Sequence, residues 1–200
     1  MTAVETVRET CLALWGKPSR MARFEVEEFS VEVLKWDPKA NPENVALYVT
    51  VGASALPLPG LPPEHRIEFF TGLLPARDEV AGALAALSLY PAREGVRLGH
   101  GHTVPSSGPL WKGSAMSSFL ITRPRSDLLP PIETEDGLHI EFLQAIPIFE
   151  SERAYKKEHG VAALMECFSE AHTPFWDPQR SPNPVCLGRA GLGTGTFLGV

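Results

Sequence analysis

Cysteine is scarce in this sequence: Cys11, Cys167 and Cys186 are the only three in 200 residues. They lie far apart and form no CxxC pair, which excludes a disulfide framework, a thioredoxin-like redox pair and a cysteine-rich zinc site. Cys11 and Cys167 sit among apolar neighbours on expected helices, where a thiol serves as small buried filler. A reducing compartment fits that use. Basic charge is also short, with 18 Lys and Arg against 24 Asp and Glu and a formal net charge of −6. The basic clusters, Arg123 with Arg125 and Lys156 with Lys157, are too thin for a nucleic-acid binder, so no nucleic-acid partner is expected. No run of 18 apolar residues occurs, so nothing is expected to span a membrane. Residues 1–15 carry Glu5, Arg8 and Glu9 in place of a basic head and apolar run, so no signal peptide is expected and the cytoplasm is the expected location.

Nucleotide and nucleophile motifs are missing as well. There is no GxxxxGK[ST] loop, no GxGxxG heading a helix and no GxSxG elbow. Ser106, Ser107, Ser114, Ser117 and Ser118 therefore carry no recognisable nucleophile context. Glu64, Glu68, Glu133, Glu135, Asp136 and Glu141 offer carboxylates for a glycosidase-like pair, but in an acidic chain such residues ordinarily form a solvated face. No catalytic residue, cofactor or metal is assigned from the sequence, and the chain is not expected to be an enzyme.

What is present is an ordinary globular composition, 44% apolar and 21% charged, in a length that suits one domain. Val4, Val7, Cys11 and Leu14 recur at helical spacing, predicting a helix over 3–15 stopped by Gly16 and Pro18. Alternation predicts strands over 24–36 and 45–51, joined as a hairpin, and a third over 65–71 with Ile67 and Phe69 on one face and Glu68 and Phe70 on the other. On alternation alone, Glu68 falls on a polar face. Four prolines within 57–63 exclude a helix or central strand there. A helix is predicted over 76–90, with Asp78 and Glu79 in its first turn and Pro91 ending it. Strands over 117–122 and 138–148 follow, then a helix over 150–170 capped by Ser151 and interrupted or closely packed at Gly160. Residues 1–173 are expected to form one α+β domain, a mixed central sheet with flanking helices. Residues 174–200 are expected to form a Pro- and Gly-rich extension whose start docks through Phe175 and Trp176.

The stretch GHGHTVPSSGPLWKG, residues 99–113, holds four glycines and two prolines, so backbone shape governs it. His100 and His102 would share one face of a strand and begin a zinc site, with His65, His139, His159 or a carboxylate completing it. No recognised ligand spacing supports that, and loop histidines bonded to backbone or solvent are the expected reading. Thr103 is expected to bond locally. Trp111 is either an interface anchor or a plug at the edge of the core. His100, His102, Thr103, Trp111 and Glu68 are the candidate binding-surface or loop residues.

The ordered segments HRIEFFTGL (65–73), GHTVPSSGPLWKGSAMSSFLI and LHIEFLQAIPIFESERAYKKEHGVAALMECF resemble the suppressor-of-fused-like domains of bacteria and, more distantly, the N-terminal domain of animal suppressor of fused. The resemblance is carried by Glu68 and Phe69; by Gly95 leading to Gly101, His102 and Thr103; by Phe142, Leu143 and Gln144; and by Glu152, Tyr155, Lys156, Gly160 and Leu164. It covers roughly residues 25–170. It implies a mixed α/β domain with a central sheet and no established catalytic residues. Animal members bind a transcription factor through two domains, and this sequence ends before a second domain of that kind, so that role is not expected. The resemblance implies a protein partner instead: a stand-alone bacterial immunity protein that neutralises a cognate polymorphic toxin. The alternative is an enzyme or small-molecule binder using the His100/His102 loop.

Overall fold

The computed structural model describes residues 1–26, 29–124 and 128–184. Helix α1 (Ala3–Trp15) starts where the Glu5 N–H donates to the Thr2 hydroxyl (3.2 Å) and the Glu5 carboxylate accepts from the Thr2 N–H (2.8 Å), a reciprocal cap for two otherwise orphaned donors. Its N-terminal stripe of Ala3, Val7 and Cys11 is buried.

The segment expected to be one strand is two, β1 (Arg20–Val26) and β2 (Phe29–Trp36), antiparallel with Val26 paired to Phe29. The sequence carries the signal as a change of phase: Phe24 is even-numbered, whereas Phe29, Val31 and Val33 are odd. Strand β3 (Ala46–Val51) pairs with β2, and β4 (His65–Leu73) pairs with β3, both antiparallel.

Helix α2 (Val80–Glu94) begins later than expected because Asp78 is occupied elsewhere. Its carboxylate accepts from the Tyr48 hydroxyl (2.9 Å) and pairs with Lys35 (2.9 Å) and Arg20 (2.7 Å). Although partial burial opposes it, these partners hold the Asp78 carboxyl below its ordinary value. The helix also runs past Pro91, which was expected to end it. The Pro91 carbonyl still accepts from the N–H of Gly95, which adopts φ 64° and closes the helix one turn later.

Strands β5 (Thr103–Pro105), β6 (Met116–Thr122), β7 (Ile132–Glu133) and β8 (His139–Phe149) complete the sheet, ordered β1-β2-β3-β4-β8-β6-β5 with β7 on β8. The β4–β8 pair is parallel and the other pairs are antiparallel, so the sheet is mixed. Helix α3 (Glu150–Glu170) follows β8 directly and breaks at Gly160 (φ 86°, ψ 168°). Its first turn is not capped by Ser151. Glu152 reaches back instead, accepting from the Phe149 N–H at 3.1 Å.

One face of the sheet packs a continuous core under α2, including Val33, Tyr48, Phe69, Leu84 and Ile121. The opposite face carries two separate apolar groups. Val7 and Cys11 of α1 join Val49, Phe70 and Phe142; Leu164 and Phe168 of α3 join Leu120, Ile146 and Ile148. This is an α+β domain whose second face is covered from both ends and not across the middle. No helix among the described residues is long and apolar enough to cross a membrane.

Candidate functional site

Between the two groups lies an open cleft of about 390 Å³. Its position follows from strand register. Along β8, Ile140, Phe142, Gln144, Ile146 and Ile148 alternate onto the same face, and Gln144 is the one polar residue among them. Register sets Gln144 between Phe70 of β4 and Thr122 of β6. In the neighbouring row Leu47 lies opposite Gly72. Gly72 deepens the floor: a Cβ there would come within 2.6 Å of a Val45 methyl. Met165 of α3 with Phe175 and Trp176 supplies one wall, and Leu128 lies in the lining as well. Neither the Gln144 carboxamide nor the Thr122 hydroxyl has a hydrogen-bond partner among the described residues.

The Phe175–Trp176 wall is fixed by a buried ion pair. Arg180 donates to both oxygens of Glu152 (2.7 and 2.8 Å) and to the Pro147 carbonyl (2.9 Å), and it stacks on Phe149. Asn183 adds its own N–H to Glu152 and its carboxamide to Thr173. The Trp176 carbonyl accepts from the Leu74 N–H at the end of β4 (2.7 Å). Residues 174–184 are therefore strapped across the base of α3. Residues 185–200, the remainder of the expected extension, lie outside the described residues.

The sequence-derived candidates scatter. His100 lines the cleft, and its Nδ1 accepts from the Arg123 N–H (3.3 Å). His102 Nδ1 accepts from the Gly99 N–H (3.0 Å), so the two rings are separately tied to backbone. Thr103 opens β5 opposite Leu120. Trp111 is 5% exposed and plugs the α2-side core; it offers no surface to a partner.

Glu68 is wholly buried, contrary to the polar face that alternation predicts. Its face is the one α1 covers. The chain after β3 turns over it, and the carboxylate accepts from the N–H groups of Gly52 (2.9 Å), Ala53 (3.3 Å) and Ser54 (3.0 Å) and the hydroxyls of Thr50 (2.6 Å) and Ser54 (2.7 Å). Burial pushes its pKa up against the pull of these donors. Burial, with the Glu68 charge adding to it, also raises the Cys11 thiol to about 12. Both groups are inside the fold and serve it. Sequence reasoning missed the cleft and Arg180. The lone Gln in β8's apolar alternation was the available signal for the cleft; an Arg such as Arg180 in a Pro-rich tail gives none for a buried clamp.

The family model for suppressor of fused protein matches residues 27–181. The chain belongs to the SUFU family. Among solved structures it is similar to a SUFU homologue from Neisseria gonorrhoeae, with 23% identity, TM-score 0.69, and coverage of 90% of this chain and 95% of that one. It is also similar to a chain of a Sufu–Fu complex, with 13% identity, TM-score 0.68, and coverage of 92% and 95%. A third similarity is to Drosophila Suppressor of Fused, with 14% identity, TM-score 0.59, and coverage of 81% of this chain but only 45% of that one. At these identities the solved structures bear on the fold alone. No curated protein matches the sequence. In this SUFU domain the match spans β2 to the Arg180 clamp, and it includes Gln144 and the buried Glu32, Glu68 and Glu152.

Proposed function

We propose that this SUFU domain is a non-catalytic protein-binding module, and that it acts in a bacterial cytoplasm as an immunity protein that neutralises a cognate toxin domain. The family match over residues 27–181 carries the binding reading. A relative of the same fold solved in a Sufu–Fu complex supports it. The excess of acidic residues supports a basic toxin as partner, since opposite net charge speeds encounter. The buried Cys11 thiol, in no disulfide, suits a reducing interior.

The test is affinity capture from the source-cell lysate, followed by expression of the captured partner alone and with this chain. The expected outcome is one stoichiometric partner that is toxic alone and harmless when co-expressed, with association that slows as salt is raised. A partner that binds stoichiometrically but is harmless alone would refute the immunity role and leave protein binding standing. A small-molecule site is the second reading, favoured by the position of His100 on the cleft.

A further inference from the structure

We propose that the cleft between α1 and α3 receives from the protein partner a large apolar side chain directly followed by a carboxylate; this rests on the protein-binding reading above. The apolar half of the assignment comes from the walls. Phe175, Trp176 and Met165 surround a floor lowered by Gly72, and Trp176 remains 49% exposed at the lip. Aromatic rings and a flexible thioether accommodate aromatic or long aliphatic groups of varied shape.

The acidic half comes from the charge at one side. Arg123 is 71% exposed in its side chain, and among the described residues its nearest carboxylate, Glu141, is 3.8 Å away, too far for a direct hydrogen bond. Beside it, His100 accepts at Nδ1, so in the neutral ring the proton sits on Nε2, a second donor. The Thr122 hydroxyl adjoins them. Glu43, the acidic member of the lining among the described residues, precedes β3, three strand spacings (about 14 Å) from β6. The cleft is thus basic on the β6 side and acidic on the β3 side, and a carboxylate is placed toward Arg123. The Gln144 carboxamide, without a partner among the described residues and midway on the floor, presents the donor and acceptor that complement a peptide group. That selects a peptide segment over a simple organic acid.

The test uses the full chain and the probe peptide acetyl-Ala-Phe-Asp-Ala-amide, followed by ¹⁵N-resolved NMR. Saturable shifts are expected at the Gln144 carboxamide and the Trp176 indole. Replacing Asp by Asn in the probe should weaken binding at least fivefold, and replacing Phe by Ala should abolish it. Arg123→Gln, at an exposed position, should erase the preference for Asp over Asn. Shifts that map elsewhere, or a preference that survives Arg123→Gln, would overturn the assignment, as would 3-phenylpropionate binding as tightly as the peptide. The captured partner separates the two claims. Equal partner affinity for wild type, Arg123→Gln and Gln144→Leu would sink the cleft and leave protein binding intact. Saturable peptide binding with the Asp preference, but no partner, would sink the protein-binding reading and uphold the chemistry of the cleft.

Discussion

The two faces of the sheet are built by different rules. Under α2 the face is sealed: Val80, Leu84 and Leu87 close over a continuous apolar core. The opposite face is covered by α1 at one end and α3 at the other, and between them a glutamine, a threonine and a glycine stand where apolar side chains would complete the layer. Burying a Leu-sized side chain contributes about 1.5–3 kcal/mol, so leaving that middle open forgoes stabilisation the same sheet obtains elsewhere. Proteins give up stability in this way at sites that bind.

The largest effect that tests this contrast lies at the strap. Glu152→Ala leaves Arg180 buried at 7% exposure with its carboxylate partner gone. We expect a loss of about 3–5 kcal/mol in urea unfolding, together with quenching of Trp176 by acrylamide as the wall detaches. Next is the sealed face: Leu84→Ala should lose about 2–5 kcal/mol through an unfilled cavity, with no change in probe-peptide affinity.

Glu68→Gln should lose about 1–3 kcal/mol, because an amide N–H₂ must face donors that now meet an oxygen. Its pH dependence has a definite sign. The folded-state pKa is raised above the ordinary 4.5, so between those two values the folded protein binds more protons than the unfolded chain. The contribution of Glu68 to stability is therefore fully present below about 4.5 and is lost as pH rises through the folded value. Wild type measured against Glu68→Gln should lose ground as pH rises above 4.5; a difference that grows with pH would contradict the account. The smallest effect belongs to the open middle. Gln144→Leu should change stability by no more than about 0.5 kcal/mol, or raise it, while abolishing peptide binding.

Much of this architecture is legible in the sequence where one periodicity acts alone. The apolar stripe of α1, the runs of β3 and β8, and α3 with its break at Gly160 all lie close to their predicted bounds. The reading fails where tertiary partners override a local rule. Asp78 stays out of α2 because Tyr48, Lys35 and Arg20 engage it, and Pro91 stays in because Gly95 caps beyond it. Glu68 reads as polar surface because the donors that satisfy it arrive from a turn 14 to 18 residues earlier in the chain. For Trp111 the core-edge plug was the favoured of two readings, and burial selects it over an interface anchor. The cleft was the least visible feature, since it is made by four strands, a helix and a returning strap meeting around one glycine.

The central claim is that this SUFU domain binds a protein through the incompletely covered face of its sheet. Hydrogen–deuterium exchange of the chain, free and in complex with its captured partner, tests it most directly. The account predicts slowed exchange at residues 99–102, at the end of β4 near Gly72 and along the strap at Phe175–Trp176, with α2 unchanged. Protection confined to α2 and the β1 edge, with the cleft unaffected, would contradict it.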